Sequence, residues 1–131
     1  MRTANLTGAI LDYHTARAEC VPAADLELRA NGTLCVRYLR GDWGPTVAVQ
    51  VLDYSTNWAL TGPLVEKHEI NLHRWKDDTN FWAAEFAYTS HYHDVYASDY
   101  EEEGCDTPLI AICRAVVRAA FGDEVEDLPC A

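Results

Sequence analysis

Residues 107–122 read TPLIAICRAVVRAAFG, and the fold turns on this stretch. Thr107 offers a hydroxyl that can cap a helix. Pro108 fits the first helical position, where a missing N–H costs nothing. Gly122 supplies a stop. Between them, only Arg114 and Arg118 interrupt a surface that is apolar on most sides. A helix that is apolar nearly all round belongs in a core. The stretch therefore predicts a central buried helix, and the other elements must cover it.

At the other end, Leu6-Thr7 precedes GAILDYHTARAE. Thr7 suits a cap and Leu6 half of a hydrophobic staple. Ile10, Leu11, His14 and Ala18 share one face, so a helix is expected over about residues 8–19, with Pro22 ending it. Between the two helices the pattern turns to strands. Asn31-Gly32 signals a tight turn, and residues 33–39 and 46–52 have strand composition. Residues 53–62 are expected as a loop, with Pro63 opening a short helix over residues 64–68. Residues 70–73 and 81–88 form a second strand pair around the turn at residues 77–80. Along residues 81–88, Trp82, Ala84, Phe86 and Tyr88 fall on one face. The fold class is α+β, a small antiparallel sheet packed by an N-terminal and a buried C-terminal helix, in one domain over residues 1–131.

The formal net charge is −11, and no Lys or Arg occurs between Asp77 and Cys113. Phosphate backbones and anionic membranes are repelled by such a field, so neither duplex nucleic acid nor membrane is an expected partner. A basic protein surface is. No apolar run is long enough to span a bilayer, and the N-terminus is a poor secretory segment, which sets the expectation of a cytoplasmic protein. The five cysteines lack C-x-x-C spacing. Cys35 and Cys113 read as small buried hydrophobes.

Two segments join the first helix in a family resemblance. YSTNWALTGPLVEKHEINL, residues 54–72, is similar to a Y-S-x-S/T-x-W-x-x-G-G-P-I-I-E block of small phage and prophage proteins. TPLIAICRAVVRAAFGDEVEDLP, residues 107–129, resembles their C-terminal block, and LTGAILDYHTARAE, residues 6–19, their N-terminal helix. These are the NinX-like proteins. The resemblance implies phage origin, an accessory role and the cytoplasm of an infected bacterium; it supplies no catalytic residues. The chain departs from the block at Leu60-Thr61-Gly62, where the family has a small residue before two glycines. Residues 74–103 are longer and richer in tyrosine.

Chemistry-bearing motifs are sparse. No nucleophile elbow, H-E-x-x-H or glycine-rich phosphate loop occurs, so the expectation is a non-enzyme without a cofactor. His91 and His93 would share a strand face, but two histidines are a thin metal motif against the plainer reading of surface side chains. The loop Tyr54, Ser55, Thr56, Asn57 and Trp58 carries more. Its aromatic rings can stack on a base. Free N–H groups at Gly62-Pro63 can hold an anion, and Lys67, Arg74 or Lys76 can add a cation. That makes a pocket for a nucleotide-like small molecule, one use of which is to sequester a host immune signal. The plainer reading has Trp58 capping the core and Ser55 to Asn57 satisfying loop backbone groups.

Tyr88, Tyr92, Tyr96 and Tyr100 form a ladder with period four, which places all four on one wall in a strand or a helix. Its inner rungs are expected to cover the core. Tyr96, Tyr100, Glu101, Glu102 and Glu103 are the expected contacts to a basic host protein or, for the tyrosines, to another copy in a homo-oligomer. Of the two functional readings, the small-molecule pocket ranks first, because its loop carries the family block.

Overall fold

The computed structural model describes residues 1–40, 46–74, 82–86 and 107–128. Its helices are α1 (Gly8–Ala18), α2 (Trp58–Lys67) and α3 (Pro108–Phe121). Its strands are β1 (Leu26–Leu28), β2 (Leu34–Arg40), β3 (Thr46–Val51), β4 (Ile70–Arg74) and β5 (Trp82–Phe86). Short 3₁₀ turns precede α1, at Thr3–Asn5, and β1, at Ala23–Asp25.

α3 forms as its sequence dictates. The Thr107 side chain accepts the Ile110 N–H, Pro108 opens the helix and Gly122 closes it at a φ of 87°. Every residue from Ala111 to Val117 is buried, Arg114 included. α3 packs against α1, α2 and β5, so it is hemmed in on several sides. Full burial of Ile112 and Val117 contributes about 1.5–3 kcal/mol each. Arg114 is accommodated because its Nε donates to the Leu6 carbonyl at 3.0 Å, which fastens the start of α1 to the core helix.

Among the described residues the strands form two antiparallel sheets, β1-β2-β3 and β4-β5. β1 pairs Leu26 with Val36 through the turn at Asn31-Gly32. No strand is expected there, because LEL alternates over only three residues and has no β-branched member. β2 and β3 form a hairpin, and β4 pairs with β5 from Ile70 opposite Phe86 to Arg74 opposite Trp82.

The largest departure from expectation is α2. It begins at Trp58, not at Pro63, because Asn57 turns its side-chain oxygen onto the Ala59 N–H at 2.9 Å and caps it. Residues 58–62, expected in a loop, are the first turn and more of this helix, and Pro63 lies inside it. The Thr7 side chain, by contrast, makes no capping bond to α1.

The chain also closes on itself. The Met1 N-terminus donates to the Val125 carbonyl, Val125 N–H to the Met1 carbonyl, and Thr3 N–H to the Asp123 carbonyl. Arg2 and Glu124 form an isolated antiparallel bridge. The acidic segment after α3 is thereby laid beside the start of the chain and α1.

Candidate functional site

The segment Tyr54–Trp58 sits where α1, α2 and α3 meet, and most of its polar atoms are used internally. Tyr54 and Ser55 are buried. The Ser55 N–H donates to Asp12 Oδ1 at 2.7 Å, across 43 residues of chain. Thr61, fully buried one turn into α2, donates its hydroxyl to the Tyr54 carbonyl. Asn57 caps α2 with its oxygen, and its amide N–H donates to Asp53 Oδ1 at 3.0 Å.

This polar seam continues into the core. The Cys113 thiol lies within hydrogen-bonding reach of the Thr15 and Thr61 side chains. Thr15 in turn donates to the Leu11 carbonyl at 2.7 Å. Burial pushes the Cys113 pKa up to about 12, so the thiol stays protonated and unreactive. Burial also raises the Asp12 carboxyl above the usual range; its hydrogen bonds from Ser55 pull the other way, and Asp53 adds repulsion. Tyr54 is raised, first by burial and then by the negative fields of its neighbours. Cys113 and Tyr54 stay protonated and Asp12 is committed to Ser55, which suits a clamp between elements more than a reaction centre.

What remains for a ligand is an outer face. Trp58 is 51% exposed in the first turn of α2, and Thr56 beside it is exposed. Ala59, Pro63, Glu66 and Lys67 continue the exposed side of the helix. Lys67 Nζ is bound to Glu19 at 2.8 Å, and His68 Nε2 meets the other oxygen of the same carboxylate at 2.9 Å. The Lys67 ammonium is shifted up by that hydrogen bond and by the charge of Glu19. The Arg74 guanidinium lies 5.6 Å from the Trp82 ring centre, a cation–π arrangement. Gly62 stands within α2 with no heavy atom close enough to forbid a side chain there.

Helix α2 thus carries Trp58, Gly62 and Lys67 together, while Tyr54 and Ser55 face inward beneath it. The Gly62-Pro63 junction, being mid-helix, presents no free helix start for an anion. Tyr96, Tyr100, Glu101, Glu102 and Glu103 lie outside the described residues, as do His91 and His93, the rest of the tyrosine ladder and Lys76. Among the described residues, no group of three or more His, Cys, Asp or Glu side chains is placed to hold a metal ion. None of the described helices is long and apolar enough to cross a membrane.

Sequence reasoning passed over Asp12, Thr15 and Thr61, which organise this region. Asp12 and Thr15 are buried on α1 although the apolar spacing marks only their neighbours. The available signal was a carboxylate and a hydroxyl one turn apart, at Asp12 and Thr15, on the side of the helix that also carries Leu11.

No curated protein matches the chain at a significant level. A family model described as Bacteriophage P22, NinX matches residues 2–119, a span that takes in α1, the capped segment before α2 and most of α3. The chain therefore belongs to the NinX family of bacteriophage proteins.

Proposed function

We propose that this phage protein is a non-enzymatic accessory factor that docks on a basic surface of a host protein, with Trp58 as its anchor. The observation that supports this reading is the exposure of Trp58, at 51%, on a helix start that is fixed from three directions. The Asn57 cap, the Ser55–Asp12 bond and the Thr61–Tyr54 bond all hold it. A large aromatic ring presented by a rigid element loses little entropy on binding, and tryptophan is among the residues that dominate interface energetics. The formal charge of −11 selects a basic partner and speeds the encounter. The acidic run Glu101 to Glu103 adds to the charge that a basic partner would meet.

The test is affinity purification from infected cells with wild-type protein, Trp58→Ala, and a charge reversal of Glu101, Glu102 and Glu103. One basic host protein should be retained by the wild type and lost with Trp58→Ala. Reconstituted from purified components, the complex should weaken as salt rises. Equal retention by Trp58→Ala would remove Trp58 as the anchor.

A second reading keeps the nucleotide-like ligand. The exposed Thr56 hydroxyl and Trp58 ring favour it, since a ring open to solvent can stack on a base. Sequestration of a host immune signal would be its use. It has less support than docking, because Tyr54 and Ser55 are committed to the core and Lys67 is held by Glu19. A saturable thermal shift with a nucleotide, lost in Trp58→Ala, would promote it.

A further inference from the structure

Away from α2, β3 presents an open edge. In the sheet β1-β2-β3 it pairs with β2 on one side and, among the described residues, with nothing on the other. The direction of its backbone groups follows from one bond. Leu52 N–H donates to the Leu34 carbonyl at 2.9 Å, and Leu34 with Leu52 continues the register in which Cys35 faces Val51. Hydrogen-bonded pairs alternate along an antiparallel ladder. Gln50 therefore also turns its N–H and C=O to β2, while Val49 and Val51 turn theirs outward. The bond from the Arg29 N–H to the Thr33 carbonyl, at 2.8 Å, sets the same alternation from the β1 side.

The side chains are as open as the backbone. Val49 is 47% exposed and Val51 44%, and Gln50 between them is exposed as well. Val49 and Val51 share one face of the strand. Such an edge is a template for another strand, and soluble proteins blunt it by shortness, charge, proline or a bulge. β1, at the opposite edge, has only three residues. β3 has six, TVAVQV, with no charge and no proline, and its register with β2 runs without a bulge.

Charge selects the occupant. Residues 26–52 carry Arg29, Arg37 and Arg40 against Glu27 and Asp42, so the whole negative excess of −11 lies elsewhere in the chain. Arg37, opposite Val49, is itself paired with Glu27 at 2.9 Å. A basic partner is drawn to the acidic remainder. A second copy of this chain is repelled there, and on β3 it meets no like charge. We propose that two copies of this protein pair antiparallel through β3, joining their three-stranded sheets into one continuous sheet across a two-fold axis. With Gln50 opposite Gln50 on that axis, Val49 of each copy exchanges backbone bonds with Val51 of the other, and the valines of both form one apolar row. This surface is separate from the Trp58 face, and neither depends on the other.

Sedimentation velocity of the full chain, from about 1 μM to about 1 mM, follows the subunit count. A reversible monomer–dimer equilibrium is expected. Salt should strengthen it, because the two copies carry the same net charge. Amide hydrogen exchange by NMR locates the contact. The Val49 and Val51 N–H groups should exchange fast in dilute samples and slowly in concentrated ones, while that of Gln50, bonded to β2, changes little. Val49→Lys with Val51→Lys, both at exposed positions, lowers the net negative charge and yet should weaken association at least about tenfold. Val49→Pro deletes one outward N–H, leaves the bonds to β2 in place, and should act in the same direction. A chain that stays monomeric up to about 1 mM overturns the proposal. So does a dimer that the lysine pair leaves intact, a result that stands even if Val49→Pro does not fold. Protection of Val49 and Val51 that appears only on adding host extract, with the free chain monomeric, assigns the edge to a foreign strand and overturns it too. Trp58→Ala should associate like the wild type, which separates this test from the docking one.

Discussion

Asp12 shows how much of this fold hangs on single polar atoms. Its carboxylate accepts the Ser55 N–H in a site that solvent hardly reaches, so two consequences separate by substitution. Asp12→Ala leaves that N–H buried and unmatched and should cost about 1–3 kcal/mol in a denaturant titration. Asp12→Asn keeps an oxygen for Ser55 and removes the charge; it should match or exceed the wild type at pH 7. The sign follows from the raised pKa. A carboxyl that binds its proton more tightly when folded favours the native state fully below the unfolded value of 3.8, and that contribution is lost as pH rises through the folded value. Comparing the two variants across that window isolates this group from the other carboxyls. The same seam governs thiol chemistry. Cys113 is fully buried and its pKa is pushed up to about 12, whereas Cys20 is exposed. Peptide mapping after brief alkylation of native protein should find Cys20 modified and Cys35 and Cys113 untouched until unfolding. Early labelling of Cys113 would mean that the seam opens readily.

At the scale of elements, α2 is the informative case. Asn57→Ala should destabilise the protein by about 1 kcal/mol, the usual worth of a cap, and Thr61→Val by a comparable amount through the lost bond to Tyr54. If α2 began at Pro63, neither change would matter much, so thermal unfolding of both variants checks the boundary. The sequence is deceptive here because Gly62-Pro63 is a strong local start signal, whereas the signal that prevails, Asn57, depends on long-range support. Ser55 finds its acceptor on α1, and Thr61 its carbonyl across the turn. α3 was legible for the opposite reason. Its cap, first proline and terminal glycine are local, and its apolar surface needs no knowledge of the partner. β1 was hidden because a three-residue strand is specified by β2 rather than by its own composition. Among site residues, the exposure of Trp58 was legible only as an alternative to core packing, and solvent exposure is a property of the assembled helix. His14 was marked as part of an apolar face, and it is buried.

For the whole molecule, charge is the quantity that stability and binding share. A net charge of −11 on 131 residues makes the folded state repel itself, since unfolding moves like charges apart. A surface pair such as the Met1 ammonium with Asp127 offsets little of this, because exposed ion pairs contribute at most about 1 kcal/mol. Added salt screens the repulsion more than it weakens such pairs. Raising NaCl from about 10 mM to about 200 mM should therefore raise Tm, the reverse of what a fold held by surface ion pairs would show. The same screening should weaken docking on a basic partner, so the two responses to one variable have opposite signs. A mixed preparation then carries an internal control: salt that stabilises the free protein must loosen the complex. Thermal unfolding and a binding titration on one salt series measure both. A Tm that falls with salt would show that net repulsion does not govern stability. An affinity indifferent to salt would leave Trp58 as an apolar anchor without electrostatic guidance, and the charge of the chain would have to be explained by something other than its partner.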